Sequence, residues 1–202
     1  MNKDPFNVVV CGVGGQGNVV ASQLMGAILV AQGYKVTIGE TYGASQRGGS
    51  VMSHVRISRT LQLPPLMPPR SADLVIALEP SEAARVLARF GNPGTVSVVN
   101  TRPVHPVDVI AGDIPYPDSD ALLGRIESLS SKALFIRATE KALELGNPIL
   151  ANIILLGAVA GAGLLPITAE ALAQAVTDYM SPAKVDINLK AFEIGTVLVN
   201  GE

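Results

Sequence analysis

The apolar positions of this chain fall in short runs punctuated by glycine and proline. Phe6-Asn7-Val8-Val9-Val10-Cys11 is a β-rich run that breaks at Gly12-Val13-Gly14-Gly15-Gln16-Gly17. Apolar residues then recur with helical character from Val19 to Ala31, Gly33 supplies a stop, and Lys35 to Gly39 reads as a second strand. Strand, helix and strand make one βαβ unit, which predicts a parallel pair joined by a right-handed crossover. A first strand and helix this apolar predict a sheet covered on both faces. Val51 to Ile57 reads as a third strand, with Val51, Ser53, Val55 and Ile57 on one face and Met52, His54 and Arg56 on the other. The proline-dense stretch Leu63-Pro64-Pro65-Leu66-Met67-Pro68-Pro69 cannot join a ladder and is expected to lie extended at the surface.

Further along, Asp73 to Leu78 is a buried strand, Pro80 opens a helix ending near Phe90-Gly91, and Thr95 to Val99 completes a second βαβ unit. Pro103, Pro106, Pro115 and Pro117 leave room for short strands only, Val107–Ile110 among them. Asp118–Leu129 reads as helix and Ala133–Arg137 as strand. From Thr139 on the pattern is helical, over Thr139–Leu145, Pro148–Gly163, Thr168–Tyr179 and Pro182–Val199. Repeats, low-complexity tracts and interdomain linkers are absent from the sequence. The expectation is one domain over residues 1–202, of α/β class. The pattern gives an α/β sheet domain with a Rossmann-like N-terminal βαβ and a helical C-terminal third packed on it.

Composition narrows the functions open to it. Of 202 residues, 48% are hydrophobic and 16% charged, a balance that excludes intrinsic disorder. A net charge of −2 supplies no basic field, so nucleic acid is not an expected partner. Cys11 is the only cysteine, which excludes a disulfide framework and a cysteine-ligated metal or iron–sulfur centre within the chain. The polar start Met1-Asn2-Lys3-Asp4-Pro5 does not resemble a secretion signal, and the compartment reads as reducing cytoplasm. The longest uncharged run, Ile149 to Leu165, is 17 residues, short for a membrane span, and Gly157-x-x-x-Gly161 within it reads as a close helix–helix contact. A mean hydropathy of +0.37 instead predicts an apolar face, including Pro148–Gly163, covered by another subunit, with self-association as a homodimer when the chain is isolated.

Two segments carry candidate chemistry. Gly12-x-Gly14-x-x-Gly17 follows a strand, opens a helix and has Glu40 at the end of the next strand; taken alone, it suggests a nicotinamide or flavin dinucleotide site. Gly39-Glu40-Thr41-Tyr42-Gly43-Ala44-Ser45-Gln46-Arg47-Gly48-Gly49-Ser50 has no place in that scheme. Its glycines suit ordinary turns, yet Gln46 and Arg47 between small residues also offer an amide and a guanidinium to a carboxylate or phosphate. Cys11 reads as a small core residue, His54 as a structural or interface residue and His105 as a solvated loop residue. Glu79-Pro80-Ser81-Glu82 suits either a ligand-binding strand end or a helix cap. With no paired acid and base, no triad and no metal-ligand spacing, the chain is expected to hold neither catalytic residues nor metal.

Gly12-Val-Gly-Gly-Gln-Gly17, then Tyr42-Gly-Ala-Ser-Gln-Arg-Gly-Gly49, then Ser53-His-Val-Arg-Ile57 resembles the gamma-type subunit of 2-oxoacid:ferredoxin oxidoreductases. Within that group the chain is most similar to the indolepyruvate ferredoxin oxidoreductase beta subunit, and it departs from the His-Gly-Met of many such members at Tyr42-Gly43-Ala44. The resemblance runs through Asp73–Glu79 and Asn152–Pro166 to Asn188–Gly195. It implies a three-layer α/β/α fold with a largely parallel or mixed sheet, in an accessory part of a thiamine-diphosphate enzyme that oxidatively decarboxylates a 2-oxoacid with coenzyme A, giving acyl-CoA, CO2 and reduced ferredoxin. Thiamine diphosphate, iron–sulfur clusters and coenzyme A would be held through companion subunits. Gly12, Gly14, Gly15, Gln16 and Gly17 with Ser45, Gln46, Arg47, Gly48 and Gly49 would form an anion-facing or interface pair of loops. The alternative is a stand-alone NAD(P)- or FAD-binding oxidoreductase.

Overall fold

The computed structural model describes residues 3–43, 49–105, 107–113 and 115–200. In chain order it runs β1 (Phe6–Val13), α1 (Asn18–Ala31), β2 (Lys35–Tyr42), β3 (Ser50–Ser58), β4 (Leu74–Ala77), α2 (Pro80–Phe90), β5 (Val96–Asn100) and α3 (Val107–Ile110). It continues with α4 (Ser119–Ser128), β6 (Lys132–Ile136), α5 (Ala138–Glu144), α6 (Ala151–Gly161), α7 (Ala169–Tyr179) and α8 (Val185–Asn200). Single 3₁₀ turns at Pro148–Leu150 and Pro182–Lys184 lead into α6 and α8.

The strands form one mixed sheet in the order β2-β3-β1-β4-β5-β6. β1, β4, β5 and β6 are parallel neighbours, while β3 runs antiparallel to both β1 and β2. The expected parallel pair of β1 and β2 is therefore corrected: the two strands share a direction, but β3 lies between them. The reason is chain length. Residues 43–49 are too few for a crossover, so β2 and β3 form an antiparallel hairpin. β3 is buried almost throughout and takes the inner place, leaving β2, with its exposed Lys35 and Tyr42, on the edge. The second βαβ unit, β4-α2-β5, is present as expected. Val107–Ile110, expected as a strand, is one helical turn and takes no place in the sheet order.

Alternating side chains divide the interior into two layers. Val8, Val10, Val55, Ile57, Leu74 and Ile76 face α1 and the C-terminal helices; Val9, Cys11, Met52, Val75, Ala77 and Val99 face α2 and α4. The fold is thus α/β/α with a mixed sheet. Ala151 to Val159 is buried along its whole length, held between the sheet and α8. This corrects the expectation that α6 belongs to a partner-covered face: its apolar surface is covered within the chain. Close approach explains why. A Cβ on Gly161 would stand 2.8 Å from Thr196 O, and Cβ atoms on Gly157 and Gly195 would collide with Phe192 O and Ile154 O. No helix among the described residues is long and apolar enough to cross a membrane.

α2 reaches β3, where Phe90 packs on His54 and Arg85 bonds Ser50, and it leaves the outer flank of β2 and β3 to another covering. That flank is covered by the proline-dense arm instead, with Pro65 lying against Gly39 and Met67 entering the core. Arg56, projecting from β3, pins the arm: its guanidinium donates to Pro64 O at 3.2 Å and Leu66 O at 3.4 Å, and its Nε to Asn7 Oδ1 at 3.1 Å.

Candidate functional site

The carboxyl ends of β1, β2, β4 and β5 gather at one edge of the sheet. This edge carries the glycine loop, the hairpin connection, Glu79 and the segment after Asn100. The chain leaves β1 for one face through α1 and β4 for the other through α2, so the gap between these strands is a topological switch point, where α/β sheets commonly hold ligands.

Here the protein's own side chains fill the gap. Gln16 folds back so that its Oε1 accepts from Val13 N–H at 2.7 Å and its Nε2 donates to Leu78 O at 2.9 Å. Asn100 Nδ2 donates to the same carbonyl at 3.0 Å and to Thr139 Oγ1 at 2.9 Å. A Cβ on Gly12 would lie 2.6 Å from Gln16 Oε1 and 2.8 Å from Asn18 Oδ1, so the first glycine makes room for these two side chains. Gly17, at φ 81°, starts α1 without a side-chain cap, and its carbonyl accepts from Asn152 Nδ2 at 3.1 Å. Gly15, at φ 100°, is exposed with open space around it. Gly14 N–H donates to Gly49 O at 2.8 Å, which brings the glycine loop against the end of the second motif. Ser45, Gln46, Arg47 and Gly48 lie outside the described residues.

These contacts test the groups the motifs suggest. A dinucleotide pyrophosphate needs the loop's backbone approach left open. With Gly14 N–H turned to Gly49 and Gln16 spanning the crevice, the loop does not fit one. Glu40, in the place of a ribose-binding acid, sits on the edge strand two places from β1 and accepts from the Tyr42 hydroxyl. An iron–sulfur cluster does not fit either, since clusters take several thiolates and Cys11 is alone and fully buried, with burial pushing its thiol far above the ordinary range. Among the described residues no group of acidic, histidine and cysteine side chains could hold a metal ion.

The capping alternative for Glu79 is the one the geometry supports. Glu79 is fully buried; its Oε2 accepts from Glu82 N–H at 2.9 Å and Ser81 Oγ at 2.6 Å, and its Oε1 accepts from the Tyr116 hydroxyl. Burial and this hydrogen bond push the Tyr116 phenol up. Sequence reasoning missed Tyr116, because nothing in the spacing of residues 79 and 116 announces the pair. Nearby, Arg85 donates to Glu82 and Ser50, joining α2 to the start of β3. His105 is exposed and packs against Tyr116 at 4.9 Å.

Residues 7–197 match the family description of pyruvate ferredoxin/flavodoxin oxidoreductase. The chain belongs to this family. It is 38% identical over 190 residues to the indolepyruvate oxidoreductase subunit IorB of Archaeoglobus fulgidus, covering 94% of this chain and 93% of that one. It is 36% identical to the subunit of the same name from Pyrococcus horikoshii, covering 94% of each. The fold agrees with the crystal structure of the keto/oxoacid ferredoxin oxidoreductase gamma subunit from Geobacter sulfurreducens, at a TM-score of 0.69 and 23% identity, covering 98% of this chain and 99% of that one. In this chain the Gly14–Gly49 contact brings the glycine loop against the end of the second motif at one edge of the sheet.

Proposed function

We propose that this chain is the gamma-type accessory subunit of a 2-oxoacid:ferredoxin oxidoreductase acting on indolepyruvate or a related aryl 2-oxoacid. The observation that carries this reading is the match along nearly the whole chain to subunits named for indolepyruvate oxidoreductase. The site chemistry supports an accessory role: the switch-point crevice is closed by Gln16 and Asn100, and the only cysteine is sealed in the core. Thiamine diphosphate, iron–sulfur clusters and coenzyme A would then be held through companion subunits, with ferredoxin as acceptor and the cytoplasm as compartment. The partner-facing contact would be the edge where Gly14 meets Gly49, with Gly15 and the start of α1 on one side and Ser45, Gln46, Arg47 and Gly48 on the other. A carboxylate or phosphate is the expected guest there.

Reconstitution tests this. Co-expression with the thiamine-diphosphate-binding, cysteine-rich subunit is expected to give a stable complex that reduces a viologen with indolepyruvate, each polypeptide alone being silent. Failure to associate, or full turnover without this chain, overturns the reading. In that complex Arg47→Lys keeps the charge but loses the bidentate fork, and is expected to weaken assembly or activity by ~1–3 kcal/mol. Unchanged behaviour of both Arg47→Lys and Arg47→Ala would reduce Arg47 to a solvated loop residue.

A further inference from the structure

A cavity of about 330 Å³ opens where the two coverings of the second face meet, between the β2–β3 hairpin, the proline arm and α2. Its floor is Met52, Met67 and Phe90, all buried, together with His54 at 2% exposure. Its mouth carries Arg85 and Arg89. None of the functions argued above uses it.

The wall chemistry is selective. Two thioethers and an aromatic edge favour a flat aromatic body, because sulfur and ring edges both attract aromatic faces. His54 stands edge-on to Phe90 at 5.0 Å and 85°, and its Nδ1 is buried without a hydrogen-bond partner among the described residues. A buried polar atom left unpaired is costly, so a ligand N–H or O–H that reached this nitrogen would remove a penalty as well as add a bond. Burial and the neighbouring Arg89 and Arg56 charges hold the imidazole pKa below its ordinary value, which keeps it a neutral acceptor. At the mouth Arg85 is neutralised by Glu82 at 2.5 Å. Arg89 lies over the Phe90 ring at 5.0 Å and has no carboxylate within ion-pair reach among the described residues. Among the described residues, the Arg89 guanidinium without a carboxylate partner above an apolar floor matches a planar anion. The volume is at the small end of ligand pockets and too small for a nucleotide.

We infer that this cavity binds a small aromatic carboxylate, with its ring on Met52, Met67 and Phe90, a ring N–H or O–H toward His54, and its carboxylate on Arg89. The inference goes beyond the accessory role above and does not depend on it, because it is read by direct binding to the full chain and not by turnover.

The probe is indole-3-acetate, titrated by calorimetry and followed by proton NMR. The chain has two histidines, His54 and His105, so ring signals report the location. The expected result is saturable binding that moves the His54 signals and leaves those of His105 in place. Arg89→Gln is expected to weaken the affinity by about tenfold or more, the scale of a hydrogen bond to a charged group. Neutral indole-3-acetamide is expected to bind the unaltered chain about tenfold more weakly by the same arithmetic, a comparison that needs no variant to fold. Absence of saturation up to about 10 mM, equal affinity for acid and amide, equal affinity in a folded Arg89→Gln, or a response at His105 in place of His54 each overturns the proposal.

Discussion

The two faces of the sheet are covered by opposite means. On one, α6 and α8 approach so closely that glycines 157, 161 and 195 leave no room for a methyl group, and an unbroken apolar layer results. On the other, α2 meets β3 only in part, at Ser50, Met52 and His54, and a proline arm held by polar contacts from Arg56 completes the cover. Shape fixes the first face, so its tolerance of change is governed by sterics. Hydrogen bonds fix the second, and where arm and helix meet imperfectly a cavity remains. Scaffold and adaptable surface are thus separated by the sheet, with the glycine loop at the edge between them.

The largest effect is expected on the tightly packed face. Gly195→Ala places a methyl group against Ile154 O, and Gly157→Ala against Phe192 O; backbone cannot yield as a side-chain tip does. Each substitution is expected to cost about 3 kcal/mol or more in denaturant unfolding. Gly124→Ala supplies the contrast. That glycine lies in α4 with nothing near its Cβ direction, so the alanine is expected to stabilise by about 0.5–1 kcal/mol. Similar losses at positions 124 and 195 would remove the steric distinction on which the comparison rests.

Arg56→Leu comes next. It keeps an apolar stem but leaves Asn7 Oδ1 and the Pro64 carbonyl without their buried donor, and is expected to destabilise by about 2–3 kcal/mol. It is also expected to expose residues 63–69 to proteolysis before global unfolding. A variant that loses stability with the arm still protected would show that Arg56 serves the core and not the cover. Gln16→Ala is smaller. Val13 N–H loses its acceptor while Leu78 O keeps Asn100, so about 1–2 kcal/mol is expected from thermal or denaturant unfolding.

Local signals are legible in the chain itself. The β1–glycine loop–α1 start, the Pro80 helix and the Gly157–Gly161 contact all follow from rules that operate within a few residues. The sheet order was not readable, because the place of β3 depends on competition for an inner position, which no short window contains. Gln16 shows the same limit at the site. Its position in a glycine fingerprint suggests a ligand, while its partners, Val13 N–H and Leu78 O, include one just past a strand more than sixty residues on. The cavity was invisible for the further reason that it arises where two coverings fail to meet, a property of neither segment alone.

The smallest effect tests whether the adaptable face is tuned by charge. His54 is buried on it, and desolvation, then Arg89 and Arg56, lower its pKa in the folded chain below the ordinary value of about 6.5. The unfolded chain therefore takes up a proton at a pH where the folded chain does not. Stability on this account is full above about pH 6.5, falls as pH drops through that value, and stops falling once the folded pKa is passed. One proton bounds the slope at ~1.4 kcal/mol per pH unit. His54→Gln is expected to flatten the unfolding midpoint over that window while leaving the acid limb below about pH 4, where carboxylates titrate, in place. An unchanged slope in the variant would remove His54 from the window and leave the second face held by its hydrogen bonds with no contribution from the imidazole.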